Sequence, residues 1–216
     1  GKPLYKFLGG SKNKTIMTDN TVSLLPIDKM VAKAEKFVDQ GFTILKIKLG
    51  EKGAQNDIDR MFAIRKAVGN DIILRIDANQ GWNYYDAKKA LLAMESLDIE
   101  HCEEPIHAPN INDQIRLTQL SPIPIMADEA VFNHVDALRI IRNQAADLIN
   151  IKLGKSGGIA NAMKIASIAE AADMYCQVGS FSESRLGISA LVHFDYVWNN
   201  IIYHDLDSPL MLSEDP

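Results

Sequence analysis

Short apolar runs with β character alternate with amphipathic stretches of helical period along the whole chain, and this alternation limits the possible folds more than any other feature. Turn-forming residues separate each run from the next stretch. The pattern predicts eight strands, at residues 21–25, 42–50, 71–79, 99–105, 123–129, 146–154, 174–180 and 200–207. It predicts seven helices between them, at residues 28–41, 55–68, 84–97, 112–120, 133–143, 156–172 and 183–196.

Strict alternation of strand and helix favours a parallel sheet with helical crossovers, and eight strands is a number that closes into a barrel. The predicted fold class is therefore α/β, a (β/α)7β TIM-like barrel. A doubly wound open sheet is the alternative, but its nucleotide-binding signals are missing. A phosphate loop around GKSGG at 154–158 would need glycine where Ile149 stands. Gly157 and Gly158 are instead interpreted as a tight turn into a helix.

The composition of the chain limits the binding partners and the cellular location that we expect for the protein. The net charge of -5 and the lack of a Lys/Arg-rich block argue against nucleic acid. No apolar run is long enough to span a membrane, and GKPLYKFLGG at the start lacks the apolar core of a signal peptide. We therefore expect a soluble, cytoplasmic protein without a membrane partner. Cys102 and Cys176 are the only cysteines and are interpreted as small buried side chains.

Ionisable residues recur where the predicted strands end. They are Lys48, Asp77, Glu103, Asp128, Lys152 and Asp205, separated by 29, 26, 25, 24 and 53 residues. A strand-end aspartate taken alone is usually a turn former or a helix cap, and a strand-end lysine is usually solvated. Because the strand ends of a barrel converge at one mouth, their repetition in successive units predicts a shared site.

Three of these groups, Asp77, Glu103 and Asp128, are carboxylates from separate strands. Such hard oxygen ligands suit one Mg²⁺ ion that keeps positions open for substrate. The histidines show no paired spacing, so zinc is disfavoured. Beside a substrate carboxylate, Mg²⁺ acts as a Lewis acid and stabilises the enediolate that forms when the adjacent carbon loses a proton. The predicted chemistry is therefore metal-assisted proton transfer.

Two lysines are the candidate bases for this proton transfer. Lys46 lies on the same side of its strand as Lys48, and a cationic neighbour favours the neutral amine that a base requires. Lys48 and Lys152 end the second and sixth predicted strands, which face each other across an eight-stranded barrel. This arrangement predicts racemisation or epimerisation by two bases. A one-base elimination or a cycloisomerisation would use the same groups.

Characteristic strings surround these positions: KIK at 46–48, DANQGW at 77–82, EEP at 103–105, ADE at 127–129 and NIKLGKSGG at 150–158. They resemble the muconate lactonizing subgroup of the enolase superfamily. The resemblance implies a (β/α)7β barrel in which Asp77, Glu103 and Asp128 bind magnesium. It also implies acid/base roles for Lys48 and Lys152, with Lys46 stabilising the enolate.

The predicted eighth strand indicates which members of this subgroup the chain resembles most. HDLDSPLML at 204–212 is similar to the signature of dipeptide epimerases of the L-Ala-D/L-Glu type, whose aspartate pair binds the α-ammonium group of a dipeptide. Asp205 and Asp207 match that pair, and two carboxylates on one face suit a cationic amine. The alternative interpretation is that Asp207 only begins a turn with Ser208 and Pro209. The sequence does not rank one dipeptide over another.

The leading hypothesis is thus an Mg²⁺-dependent dipeptide epimerase. The alternatives are an o-succinylbenzoate synthase or a muconate-cycloisomerase-type enzyme, and a metal-binding barrel without turnover. The resemblance further implies an N-terminal α+β capping domain, so we expect the given residues to be a fragment that begins after it, and it permits a homo-oligomer. Residues 1–17 are then expected to be a linker, 18–207 the catalytic barrel and 208–216 the start of a C-terminal segment. Two residues depart from the family pattern. Glu104 stands where family members commonly have Gln, and His101 stands where they usually have an apolar residue.

Overall fold

The computed structural model describes residues 1–11 and 14–215. Its strands are β1 Asn20–Val22, β2 Ile44–Lys48, β3 Ile73–Asp77, β4 Ile99–Glu103, β5 Ile125–Ala127, β6 Leu148–Ile151, β7 Cys176–Gly179 and β8 Ile201–Asp205. Its α-helices are α1 Leu4–Phe7, α2 Ile27–Asp39, α3 Gln55–Val68, α4 Tyr84–Ala93, α5 Ile111–Leu120, α6 His134–Asn143, α7 Leu153–Ser156, α8 Ile159–Ala171 and α9 Arg185–Asp195. Two short 3-10 helices span Glu95–Leu97 and Ser208–Met211.

The eight predicted strands and seven predicted helices are all present, with one helix divided. The helix predicted at 156–172 begins at Ile159 as α8, because Gly157 and Gly158 before it have φ angles of 76° and 99°. Residues other than glycine rarely adopt such angles, so the pair separates α8 from the short helix α7. The helix predicted at 84–97 ends as α4 and continues as a 3-10 turn. The strands are shorter than predicted because their polar ends belong to loops.

The strands form one eight-stranded sheet in chain order, from β1 to β8. The pairings from β1 to β5, and from β6 to β8, are parallel. In register, Lys48 lies opposite Asp77, and Asp77 lies opposite Glu103. Three successive strands therefore end at the same level, each with an ionisable residue.

The described residues divide into two compact units. The β1–β5 unit comprises Asp19–Ala130 with Asn143–Asp147, and the β6–β8 unit comprises Val131–Arg142, the chain from Leu148 onward and the segment up to Thr18. The buried face of the β1–β5 strands carries Leu45, Ile47, Leu74 and Ile76, which have no exposed surface. Because side chains alternate along a strand, the residues between them project to the other side.

The helices of the β1–β5 unit cover this apolar face. Their buried side chains include Met30 and Ala34 on α2, and Ile58, Met61 and Ile64 on α3. Asn83 caps α4 by accepting hydrogen bonds from the N–H groups of Tyr85 and Asp86, at 2.9 and 3.0 Å. These contacts fix the start of the helix that follows the β3 loop.

The β6–β8 unit has a core of its own. Ile149, Ile151 and Val178 on the strands are fully buried, as are Ala162 and Ile165 on α8. The N-terminal segment is anchored by Lys14, whose Nζ donates to Asp195 Oδ1 at 2.8 Å and to two backbone carbonyls at 3.0 Å. Among the residues that the structure describes, no helix combines the length and apolar character needed to cross a bilayer.

Candidate active site

Lys46, Lys48, Asp77 and Glu103 form one hydrogen-bonded cluster at the ends of β2, β3 and β4. Lys46 Nζ lies 2.7 Å from Glu103 Oε2 and 3.0 Å from Asp77 Oδ2. Lys48 Nζ lies 2.6 Å from the same Asp77 oxygen. Both lysines therefore project to one side of β2, as the alternation of the strand requires. Lys46 is buried, whereas the Lys48 side chain keeps 29% of its surface exposed.

Asn79 connects this cluster to the neighbouring loop. Its side-chain oxygen accepts a hydrogen bond from Lys48 Nζ at 2.7 Å, and its backbone N–H donates to Asp77 Oδ1 at 2.9 Å. Its Nδ2 donates to Glu129 Oε1 at 3.3 Å. Sequence reasoning quoted Asn79 within DANQGW but gave it no role. Asn79 lies two residues beyond the end of β3 with φ of 41°, a left-handed conformation that asparagine tolerates.

The loop after β2 is held by the buried carboxylate of Asp57. Asp57 Oδ2 accepts hydrogen bonds from the N–H groups of Gly50 and Glu51 at 2.9 and 2.8 Å, and from Trp82 Nε1 at 2.8 Å. Its other oxygen accepts from Arg60 Nη1 at 2.8 Å. This one side chain thus ties the loop that follows Lys48 to the loop that follows Asp77.

The same two loops touch through their backbones. A Cβ atom at Gly81 would overlap the carbonyl oxygen of Gly50, and one at Gly50 would overlap the carbonyl oxygen of Ala78. In addition, the N–H of Leu49 donates to Asp77 O at 2.8 Å. Only glycine permits this approach, which keeps the ends of β2 and β3 in a fixed relation.

Asp128 is placed by Glu104, the residue after the β4 strand end. Glu104 Oε2 accepts hydrogen bonds from the backbone N–H groups of Asp128 and Ala130 at 2.6 and 3.1 Å, and Oε1 accepts from Gln114 Nε2 at 3.1 Å. Burial raises the pKa of the Glu104 carboxyl to about 8. The sequence identified Glu104 only as a departure from the family pattern, whereas the structure shows that it orients the β5 loop.

Carboxylates at the strand ends of the β1–β5 unit shift the pKa values of neighbouring groups. Burial raises the pKa of the Glu129 carboxyl, and the charges of Asp128 and Asp77 raise it further. Burial also raises the pKa of the Cys102 thiol well above its usual value, and the charges of Asp77 and Glu103 raise it further. Hard divalent cations favour carboxylate oxygens, so the chemistry of Asp77, Glu103 and Asp128 suits Mg²⁺.

His101 lies below Glu103 on β4 and is fully buried. Burial lowers the pKa of its imidazole well below the usual value, and the neighbouring Arg75 lowers it further. Arg75 is itself paired, with Asp19 at 2.9 Å and Glu100 at 2.6 Å. His101 is therefore a neutral residue beneath the carboxylates and adds no positive charge to them.

In the β6–β8 unit, Lys152 directly follows β6 and is 5% exposed. Its Nζ lies 5.0 Å from the centroid of the Phe181 ring. This distance is within the range of a cation–π contact. Sequence reasoning did not identify Phe181, because nothing in the pattern of the chain links it to a lysine 29 positions earlier.

Asp205 and Asp207 are buried in the same unit, at the end of β8 and just beyond it. A carboxylate oxygen of one lies within 4.8 Å of a carboxylate oxygen of the other. Asp207 also precedes the 3-10 helix and accepts a hydrogen bond from the N–H of Leu210 at 2.9 Å through its backbone carbonyl. The Asp207 backbone thus makes the turn that was the alternative interpretation of the sequence. Its side-chain carboxylate nevertheless lies near that of Asp205.

Comparison with known proteins identifies close relatives. The family described as enolase C-terminal domain-like matches residues 29–215. The chain is 47% identical over 216 residues to a D-Ala-D/L-Ala epimerase of Cytophaga hutchinsonii, covering all of this chain and 58% of that protein. It is 46% identical over 217 residues to an L-Ala-D/L-Glu epimerase of Bacillus subtilis, of which it covers 59%. The chain therefore spans somewhat under two thirds of the length of the curated relatives it matches.

Solved structures agree with the sequence matches. The crystal structure of a dipeptide epimerase from Cytophaga hutchinsonii, complexed with Mg and D-Ala-L-Val, superposes with a TM-score of 0.97. The match has 47% identity and covers 99% of this chain and 58% of that one. A muconate cycloisomerase variant superposes with a TM-score of 0.93 at 28% identity, covering 100% of this chain and 60% of that one.

These matches confirm the predicted fold class, an α/β barrel of the (β/α)7β type, and the predicted family resemblance. The assignment of residues 1–17, 18–207 and 208–216 to a linker, a barrel and a C-terminal segment stays a prediction. With the family match across most of its length, this chain belongs to the enolase C-terminal domain-like family.

Proposed function

We propose that the protein containing this chain is an Mg²⁺-dependent dipeptide epimerase. The observation that carries the proposal is the cluster of Lys46, Lys48, Asp77 and Glu103 at the ends of three strands, in which each lysine nitrogen lies within 3.0 Å of a carboxylate oxygen. Support also comes from relatives that are epimerases at 47% and 46% identity. The substrate class follows from those relatives and from the Asp205–Asp207 pair.

Asp77, Glu103 and Asp128 would hold one Mg²⁺ ion per site, and its charge would stabilise an enediolate of the substrate when it is bound. Lys48 and Lys46 now donate to oxygens of this set. Glu104 would keep the Asp128 backbone in place through its two backbone hydrogen bonds. The chain's own contacts thus preorganise the oxygen donors, which limits the cost of gathering them around a cation.

The reaction would move one proton on and off the α-carbon of the second residue of the dipeptide. A neutral lysine amine takes the α-proton, and the electron pair of the C–H bond passes into the adjacent carboxylate to give the enediolate. The ammonium of the other lysine then returns a proton to the opposite face. The proposal assigns these roles to Lys48 and Lys152 and requires them to face opposite sides of the substrate. Lys46 would stabilise the developing negative charge.

Asp205 and Asp207 would bind the α-ammonium group of the dipeptide. Two buried carboxylates with oxygens within 4.8 Å of each other offer a cationic amine two charged acceptors at once. A substrate without a positive charge would gain nothing from the pair. This is why the pair favours a dipeptide over muconate. A cytoplasmic location and a homo-oligomeric assembly stay predictions.

The test is proton exchange in D₂O with the intact protein, Mg²⁺ and four probes: L-Ala-L-Glu, L-Ala-D-Glu, D-Ala-L-Val and L-Leu-L-Tyr. We expect NMR to show deuterium entering the α-carbon of the second residue of at least one probe, and chromatography to show the other diastereomer. Chelation of the metal with EDTA should stop both. No exchange in any probe, or turnover of muconate or of an o-succinylbenzoate precursor instead, would contradict the proposal. Mg²⁺ binding without any turnover would favour an inactive barrel.

A further inference from the structure

Phe181 is an aromatic side chain that lies between β7 and α9, in the same unit as Lys152. It is 55% exposed, which is unusual for a large apolar side chain, yet its ring lies 5.0 Å from Lys152 Nζ, measured to the ring centroid. Lys152 itself is 5% exposed. The ring thus contacts a nearly buried ammonium group while much of its surface is exposed to solvent.

The position of the ring is set by Gly154 and Glu183. A Cβ atom at Gly154 would lie 3.3 Å from Phe181 Cδ2, so the ring packs on a residue that has no side chain. The N–H of Phe181 points toward Glu183 Oε1 at 3.5 Å. Gly154 follows Lys152 by two residues, at the start of α7. The segment that carries the lysine therefore also supplies the surface on which the ring rests.

We propose that Phe181 is a positioning residue that fixes the direction of the Lys152 ammonium group and so controls proton transfer at one face of the substrate carbon. This inference rests on the acid/base role proposed above for Lys152. It adds to that role a second residue that exchanges no proton and forms no bond with the substrate.

The physical reason lies in the lysine side chain. Lysine has a flexible four-carbon stem, and a base must point its nitrogen at the reacting carbon within narrow limits. An aromatic face attracts a cation that lies over it. The ring can therefore restrict the direction of the Lys152 stem. The Lys48 ammonium group is restrained instead by hydrogen bonds to Asp77 and Asn79.

The experiment measures deuterium exchange at each face separately. In D₂O, unreacted L-Ala-L-Glu and unreacted L-Ala-D-Glu acquire deuterium through different lysines, because each isomer presents its α-proton to one base. Lys152→Ala identifies which isomer reports on Lys152. We expect Phe181→Leu, in the intact protein with Mg²⁺, to slow exchange in that isomer by roughly tenfold, which corresponds to the loss of a desolvated cation–π contact. Exchange in the other isomer should change less than twofold.

Further variants separate positioning from general damage. Phe181→Tyr keeps the ring and should restore exchange to within about twofold of the wild-type rate. Gly154→Ala should shift the ring only slightly and slow the same isomer less than Phe181→Leu does. Phe62→Leu, at an exposed position on α3, is the matched control and should change neither isomer.

Equal slowing of both isomers by Phe181→Leu, or no slowing of either, would overturn the inference while leaving the proposed function intact. If the wild-type protein exchanges neither isomer, the measurement is repeated with D-Ala-L-Val and L-Leu-L-Tyr, each paired with its diastereomer at the second residue. Failure with all four would overturn the proposed function, and the inference with it.

Discussion

Asp57 should be among the most sensitive positions for the stability of this chain, because one carboxylate satisfies four donors. It accepts from the N–H groups of Gly50 and Glu51, from Trp82 Nε1 and from Arg60 Nη1, all between 2.8 and 2.9 Å. The side chain has no exposed surface, so water cannot replace it without rearrangement of the loops. Asp57→Ala would therefore leave several donors without a partner.

The magnitude follows from the number of donors. The two backbone donors are partly buried and should each cost about 1 kcal/mol, while the buried indole N–H should cost about 1–3 kcal/mol. We expect Asp57→Ala to lower the free energy of unfolding by about 3–5 kcal/mol. Asp57→Asn keeps one acceptor and should lose about 2 kcal/mol, and Trp82→Phe removes a single donor and should lose about 1 kcal/mol.

Urea denaturation of the intact protein, followed by circular dichroism, measures these differences. The order of the losses is as important as their values: Asp57→Ala should lose the most stability, Asp57→Asn less and Trp82→Phe the least. A double-mutant cycle between Asp57→Asn and Trp82→Phe should show coupling, because the two side chains share a hydrogen bond. The reasoning would be refuted if Asp57→Ala unfolded within 0.5 kcal/mol of wild type, a margin that marks a surface change of little effect.

Three other predictions concern the reaction and its pH dependence. Lys48→Ala and Lys152→Ala should each reduce epimerisation of L-Ala-L-Glu at least a hundredfold, each retaining deuterium exchange in the one isomer that the surviving lysine serves; full epimerisation by either would exclude two bases. Asp205→Asn should raise the KM for dipeptide at least tenfold while calorimetry shows an Mg²⁺ affinity within threefold of wild type, and equal loss of both would indicate structural damage. Burial raises the pKa of the Asp147 carboxyl from 3.8, so the native state holds a proton that the unfolded chain has lost and stability falls as pH rises above that value. Asp147→Asn keeps an oxygen acceptor for the N–H of Ile125 and removes the ionisation, so its stability relative to wild type should increase with pH above 3.8 in urea titrations, and a constant difference would contradict this.

The elements of the fold could be predicted well because their signals are local. α3 begins at Gln55 and ends at Val68 as predicted, since Gly69, with φ of 79°, stops the helix. Gly157 and Gly158 form the predicted turn into a helix, α8, but the short helix α7 that ends just before them was not predicted. Whether a glycine ends one helix or begins another depends on the strands between which it lies, and that information is not local.

The site was predictable only in part, for a similar reason. Alternation along β2 was enough to place Lys46 and Lys48 on one side, and register with β3 brings Asp77 to them. Asn79 and Glu104 were missed because both act from positive-φ positions just beyond a strand, where side-chain direction does not follow the strand period. Their partners lie 31 and 24 residues away for the contacts to Lys48 and Asp128, so no spacing rule points to them.

The backbone contact between Gly50 and Gly81 has a consequence for how the loops after β2 and β3 can change. A Cβ atom at Gly81 would overlap the Gly50 carbonyl oxygen, and one at Gly50 would overlap the Ala78 carbonyl oxygen, so a substitution at either position must move one loop away from the other. A change in one loop at this contact is therefore expected to displace the other loop as well. The contact would in this way couple the position of Lys48, at the end of β2, to that of Asp77, at the end of β3.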